Sequence, residues 1–152
     1  MISMTRASFV KVFMLLCLTR VICAQVSRNM SNVAGMYSIS YVTVPTDTIA
    51  KKIARGLVEN KLAACVNIIP QLTSIYEWKG KIEEDSELLL MIKTRTETVD
   101  ALTKYVKENH PYTVCEVISL PIQNGNSQYL KWIGEVVPSI SDIQETLDAK
   151  DN

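Results

Sequence analysis

The chain has 152 residues, 47% of them hydrophobic and 21% charged, a balance that fits one ordinary globular domain and excludes a disordered or fibrous chain. The formal net charge is zero, but Arg6, Lys11, Arg20 and Arg28 all precede the first acidic residue, Asp47. The remainder carries 12 basic against 16 acidic residues, and a mildly acidic body argues against nucleic acid as a partner.

Arg6 and Lys11 lead into the apolar run Val12–Leu18, which is far shorter than the roughly 20 residues a membrane-spanning helix needs. Residues 1–24 read as a signal or targeting peptide of the short secretory type, cut after Cys23 or Ala24. The absence of acids and the spaced arginines also fit a mitochondrial transit peptide, and starts at Met30 or Met36 would give a cytosolic form. Asn29-Met30-Ser31 is a glycosylation acceptor pattern, meaningful only on the secretory route. Residues 25–36 read as a flexible segment, 37–138 as the folded domain, and 139–152 as a polar tail.

Tyr37–Val44 is β-branched and aromatic and reads as a strand ended by Pro45. Thr46 or Asp47 caps a helix whose apolar stripe is Ile49, Ala50, Ile53, Ala54, Leu57 and Val58, ending near Asn60 and Lys61. Ala64–Ile69 and Leu72–Trp78 form one long strand, bent or bulged at Pro70 because proline cannot donate to a ladder. Lys79-Gly80 turns the chain back through Lys81-Ile82-Glu83 into Leu88–Ile92, whose unbroken apolar run predicts cover on both faces. Thr94-Arg95-Thr96-Glu97 has the spacing of a capping box and opens a helix with Val99, Leu102, Tyr105 and Val106 inward, stopped at His110-Pro111. Val114–Leu120 is a last strand, and Asn124-Gly125-Asn126 turns into a helix bearing Tyr129, Leu130, Trp132, Ile133 and Val136.

The order is β-α-β-β-α-β plus a helix: an α+β, ferredoxin-like sandwich. Crossover handedness puts the first and third strands at the sheet centre and the second and fourth at its edges. Cys65 and Cys115 then lie three strand spacings apart, roughly 14 Å, beyond the roughly 7 Å a disulfide tolerates. Two unpaired thiols are expected there, with Cys17 and Cys23 left in or beside the leader. Two open edges and an overhanging arm invite closure by other copies of the chain. Tyr76 and Trp78 are the large aromatics suited to that contact; Tyr129 and Trp132 suit it as well as they suit a core.

Chemistry is sparse. No Cys-x-x-Cys, phosphate-cradling glycine loop or nucleophile elbow occurs, so the chain reads as not an enzyme. Glu83-Glu84-Asp85 with Glu87 reads as a solvated charged face. Lys93 and Arg95 either hold an anion in a cleft between subunits or pair with nearby carboxylates.

Four stretches in register resemble one family. Leu62–Asn67, Ser74–Ile82, His110-Pro111-Tyr112 with Glu116, and Tyr129–Ile133 are similar to CutA, the divalent-cation tolerance family, and the leader resembles its animal members. The resemblance implies a homotrimer of ferredoxin-like subunits, with Tyr76, Trp78 and Trp132 at the trimer interface. It also implies binding of copper or another divalent cation, with His110 and Glu116 as candidate ligands. Val42 stands where the family's first-strand cysteine would fall, and Asn109 where some relatives carry a second histidine, so the pattern is incomplete. The alternative the family offers is an adaptor or anchoring trimer for other proteins, such as membrane-associated acetylcholinesterase. A small-ligand sensor is a third reading, by fold analogy alone.

Overall fold

A computed structural model describes residues 34–142; the leader, Asn29, Cys17, Cys23 and the tail from 143 lie outside them. Among the described residues the chain runs β1 (Tyr37–Val44), α1 (Asp47–Glu59), β2 (Cys65–Trp78), β3 (Lys81–Arg95), a 3-10 turn (Thr96–Thr98), α2 (Val99–Asn109), β4 (Ile118–Pro121) and α3 (Ser127–Val136). The four strands make one antiparallel sheet in the order β2-β3-β1-β4, so the central pair and the two edges are those that the crossover rule predicts.

Alternation along the strands divides the sheet into two unlike faces. On one, Val42 and Val44 of β1 and Leu90 and Ile92 of β3 pack beneath α1 and α2 with Ile53, Leu57, Leu102 and Val106, all fully buried. α1 starts where Thr46 Oγ1 accepts the amide of Ile49 at 3.3 Å, and of its predicted stripe only Val58 is exposed. Gly56 lets α2 approach closely: a Cβ there would fall 1.8 Å from the Tyr105 hydroxyl.

The other face carries Tyr37, Ile39 and Tyr41 of β1, opposite Arg95, Lys93 and Met91 of β3 and Leu120 and Ile118 of β4. α3 covers one end of it. Arg95 fastens that helix by donating from Nε to the Val137 carbonyl at 2.6 Å and from Nη2 to the Gly134 carbonyl at 2.7 Å. A cation bonded to the last carbonyls of a helix also complements its dipole. The rest of this face is open, with Ile69, Ile118 and Leu120 exposed. The apolar run of β3 is therefore covered fully on one side only within a single chain.

Two local expectations change. Thr94 does not open a capping box; it remains in β3, and its hydroxyl, fully buried, donates to the Leu62 carbonyl at 2.7 Å. The helix begins after the 3-10 turn, with no side-chain cap bond. The last strand is also shorter than predicted, Ile118–Pro121 rather than Val114–Leu120, and it pairs only with Ser38–Tyr41 of β1.

Candidate functional site

The β2–β3 arm is long because both strands are long, and its side chains face as they do because of one irregularity. The register jumps between Ile69 and Leu72, at Pro70 as predicted, and Gln71 takes a positive φ of 63°. Beyond that bulge Ser74, Tyr76 and Trp78 lie on the same side of the ladder as Asp85 and Glu87. Diagonal pairs across the ladder then form: Ser74 Oγ donates to Glu87 Oε2 and Tyr76 Oη to Asp85 Oδ2, each at 2.6 Å.

Facing the arm is the segment that follows α2. His110 caps that helix, its amide donating to the Val106 carbonyl at 2.8 Å, and its ring folds back toward β1. Nδ1 accepts the amide of Tyr112 at 3.1 Å, which leaves Nε2 as the proton-bearing nitrogen that donates to the Thr43 carbonyl at 2.9 Å. Thr43 thereby gives its carbonyl to a side chain, and the β1–β4 ladder ends short of it, at Tyr41. The His110 and Tyr112 rings meet edge to face at 5.0 Å.

Arm and segment enclose a cleft of about 720 Å³, with Thr43 at its base, Glu87, Asp85 and Glu116 in its walls, and Tyr76, Trp78 and Tyr112 around them. No lysine or arginine lines it. The carboxylates set the electrostatics. The hydrogen bond to Asp85 pushes the Tyr76 phenol up to about 12, and burial, then Glu87 and Asp85, push Tyr112 upward.

The predicted site residues are distributed unevenly over this geometry. Tyr76, Trp78 and Glu116 line the cleft; His110 lies behind it, with both ring nitrogens hydrogen-bonded. A metal ion at His110 would have to displace one of those bonds. No three His, Cys, Asp or Glu side chains converge on a metal position among the described residues, so these residues of a single chain do not make a complete donor set for a copper ion. Trp132 lies apart on α3, exposed and tilted against Tyr129 with ring centres 5.3 Å apart. Tyr129 also meets Cys65, and its phenol is raised by burial first and by that thiol second. Cys65 and Cys115 are both free and half-buried.

Three charged residues differ from their sequence reading. Glu87 does not belong to a solvated face: only 5% of it is exposed. Its signal was its place next to Leu88 at the start of the apolar run, on the alternating register of the strand. Lys93 is buried and bonds to the Asn67 side-chain oxygen and, at 3.3 Å, to the Met91 carbonyl. Arg95 spends its hydrogen bonds on the end of α3, and its charge adds only a minor pull on Asp142, whose carboxyl is held low mainly by hydrogen bonds from Ser139.

Comparison with known proteins agrees with this architecture. Residues 38–136 match the family model described as CutA1 divalent ion tolerance protein. The chain is 70% identical over 108 residues to the Protein CutA homolog of Xenopus laevis, covering 71% of this chain and 72% of that protein. It is 59% identical over 110 residues to human Protein CutA, but spans only 62% of that protein's length. Among solved structures, the divalent cation tolerance protein of Thermus thermophilus superposes with a TM-score of 0.67 at 50% identity, over 68% of this chain and all of that one. CutA1 from Oryza sativa gives 0.67 at 48% identity, over 70% of this chain and 96% of that one. An α+β chain with this strand order, matched across nearly its whole folded part, belongs to the CutA1 divalent ion tolerance family.

Proposed function

We propose that the chain works as a self-assembling binding protein rather than an enzyme, a homotrimer serving divalent-ion tolerance. The observation that carries this is the half-covered sheet. Ile69, Ile118 and Leu120 stand exposed on its open face, and both edge strands are unpaired on their outer side. Apolar surface of this kind is characteristic of an interface, and a closed ring of copies covers edges without growing into fibres. Tyr76, Trp78 and Trp132, all exposed, supply aromatic anchors for it.

Divalent cations, copper among them, are the ligand class that the family description suggests. His110 and Glu116 are the candidate ligands, and with no complete donor set in one subunit the remainder would come from a neighbouring copy. Light scattering at nanomolar dilution tests the assembly: three times the chain mass is expected, and a well-folded monomer overturns it. Copper titration of the wild type against His110→Ala tests the ligand. Submicromolar binding lost in the variant supports the metal role; indistinguishable titrations remove it.

A second reading, an adaptor for other proteins, is favoured by Ile75 and Ile82. They are the most exposed large apolar residues of the arm and lie on its side away from the cleft. The leader reading, secretory or membrane-associated against mitochondrial or cytosolic, is tested by mass spectrometry of the mature N-terminus.

A further inference from the structure

Only two charged side chains among the described residues are buried, and their signs are opposite: Glu87, 5% exposed, and Lys93, 7% exposed. Both belong to β3, and their even spacing puts them on the same side of it, the open face. Neither takes part in an ion pair within the chain. Glu87 accepts one hydrogen bond, from the neutral hydroxyl of Ser74, and Lys93 donates to two neutral oxygens, those of Asn67 and Met91. A carboxylate accepts about four bonds and an ammonium donates three, so each group keeps capacity for a charged partner. Burying a charge among neutral groups is costly, and an opposite charge offsets that cost only at close range.

The two cannot neutralise each other inside one chain. Six residues of strand hold their backbones about 20 Å apart. Glu87 also leans away, toward Ser74, whose ladder partner is Asp85. Lys93 reaches as far as the row of Asn67 and Met91, toward the uncovered middle of the face and away from the end where Arg95 fastens α3. The other described lysines are exposed and hydrated where they stand, and Arg95 has given its hydrogen bonds to α3. One face thus carries a negative group at its arm end and a positive group near its α3 end. A closed ring of identical copies is held by head-to-tail contacts, in which one patch of each copy meets a different patch of the next. Two opposite charges at separate places on one face are what such a contact can join.

Resting on the homotrimer reading and deepening it, we propose that Glu87 of each copy forms an ion pair with Lys93 of the next. Each chain then completes the buried charges of its neighbours, and all of them are balanced only when the ring closes.

The test is native mass spectrometry of the full-length protein, with circular dichroism as the check on folding. The wild type should give three times the chain mass. Glu87→Lys and Lys93→Glu each set like charges against one another at every contact, and each should shift the protein toward the single-chain mass. The two swaps combined in one chain restore opposite charges at every contact and should restore the trimer. Because charge reversal at a buried site can unfold the chain, the neutral variants Glu87→Gln and Lys93→Met give a second measurement. Each should speed the exchange of isotope-labelled for unlabelled copies by about tenfold or more, since losing one partner of a buried charge pair raises dissociation. Together they should speed it no more than the faster single variant does, as expected of two groups acting as a pair. Single swaps that fold and keep the trimer overturn the pairing. So does a combined swap that folds without reassembling, or neutral variants whose effects multiply or are absent. A monomeric wild type overturns the homotrimer reading itself, which those other outcomes leave standing.

Discussion

The two faces of one sheet follow different rules. On the helix-covered side Val42, Val44, Leu90 and Ile92 are sealed within the chain itself. On the other side the same two central strands present Ile39, Tyr41, Leu89 and Met91, none fully buried, beside exposed Ile118 and Leu120. Stability of the single chain resides in the first face. The second, with the arm that continues from it, carries the exposed apolar surface on which the proposed assembly rests.

The largest expected effect breaks the sealed face. Leu90→Ala should lower unfolding free energy by about 2–5 kcal/mol in chemical denaturation, because the cavity it leaves is lined by residues held from two helices. Leu120→Lys acts on the open face and should do the reverse. It should keep the circular dichroism spectrum of the wild type while light scattering falls toward the single-chain mass, a loss of about 2 kcal/mol or more at an interface anchor. If Leu120→Lys unfolds the chain instead, the two faces are not separable.

Smaller effects sharpen the boundary between them. Gly134 lies in α3 where a Cβ would fall 2.5 Å from Tyr37 Oη and 3.1 Å from Arg95 Nη2. Gly134→Ala should therefore destabilise by about 1–3 kcal/mol, despite alanine's better helix propensity, as measured by thermal unfolding. The mildest test is spectrophotometric. Because Asp85 accepts its proton, the Tyr76 phenol should ionise only near pH 12, and Asp85→Asn should bring it down toward 10.0. The folded state favours the protonated phenol, so any stability linked to it is intact below pH 10.0 and is lost as pH rises through about 12.

What the sequence made legible was the part governed by short-range pattern and topology. Apolar spacing located the three helices, Pro70 located the bulge, and crossover handedness ordered the strands. The failures share a cause. Thr94 had the spacing of a cap, and Val114–Val117 the composition of a strand, yet in each region a long-range hydrogen bond decided the outcome. Leu62 took the hydroxyl of Thr94, and His110 took the carbonyl of Thr43 beside which the strand would have continued. The cleft was half visible: Tyr76, Trp78 and Glu116 were singled out, but Glu87 was hidden in a run of acids. The ladder register puts Glu83, Asp85 and Glu87 on one side of β3, and of these Glu87, next to the apolar run, is buried while Glu83 stays exposed.

The extra residue at the Ile69–Leu72 register jump behaves as a parity switch for the whole arm. With it, every second residue from Leu72 to Trp78 falls in phase with Glu87. Pairing straight through without the bulge, with Gln71 opposite Glu87, would slide the outer half of β2 by one position and exchange its sides, presenting Ile75 and Glu77 to Tyr112 and turning both aromatics outward. One residue thus decides whether the arm offers a ring-lined hollow or an aliphatic, acidic strip.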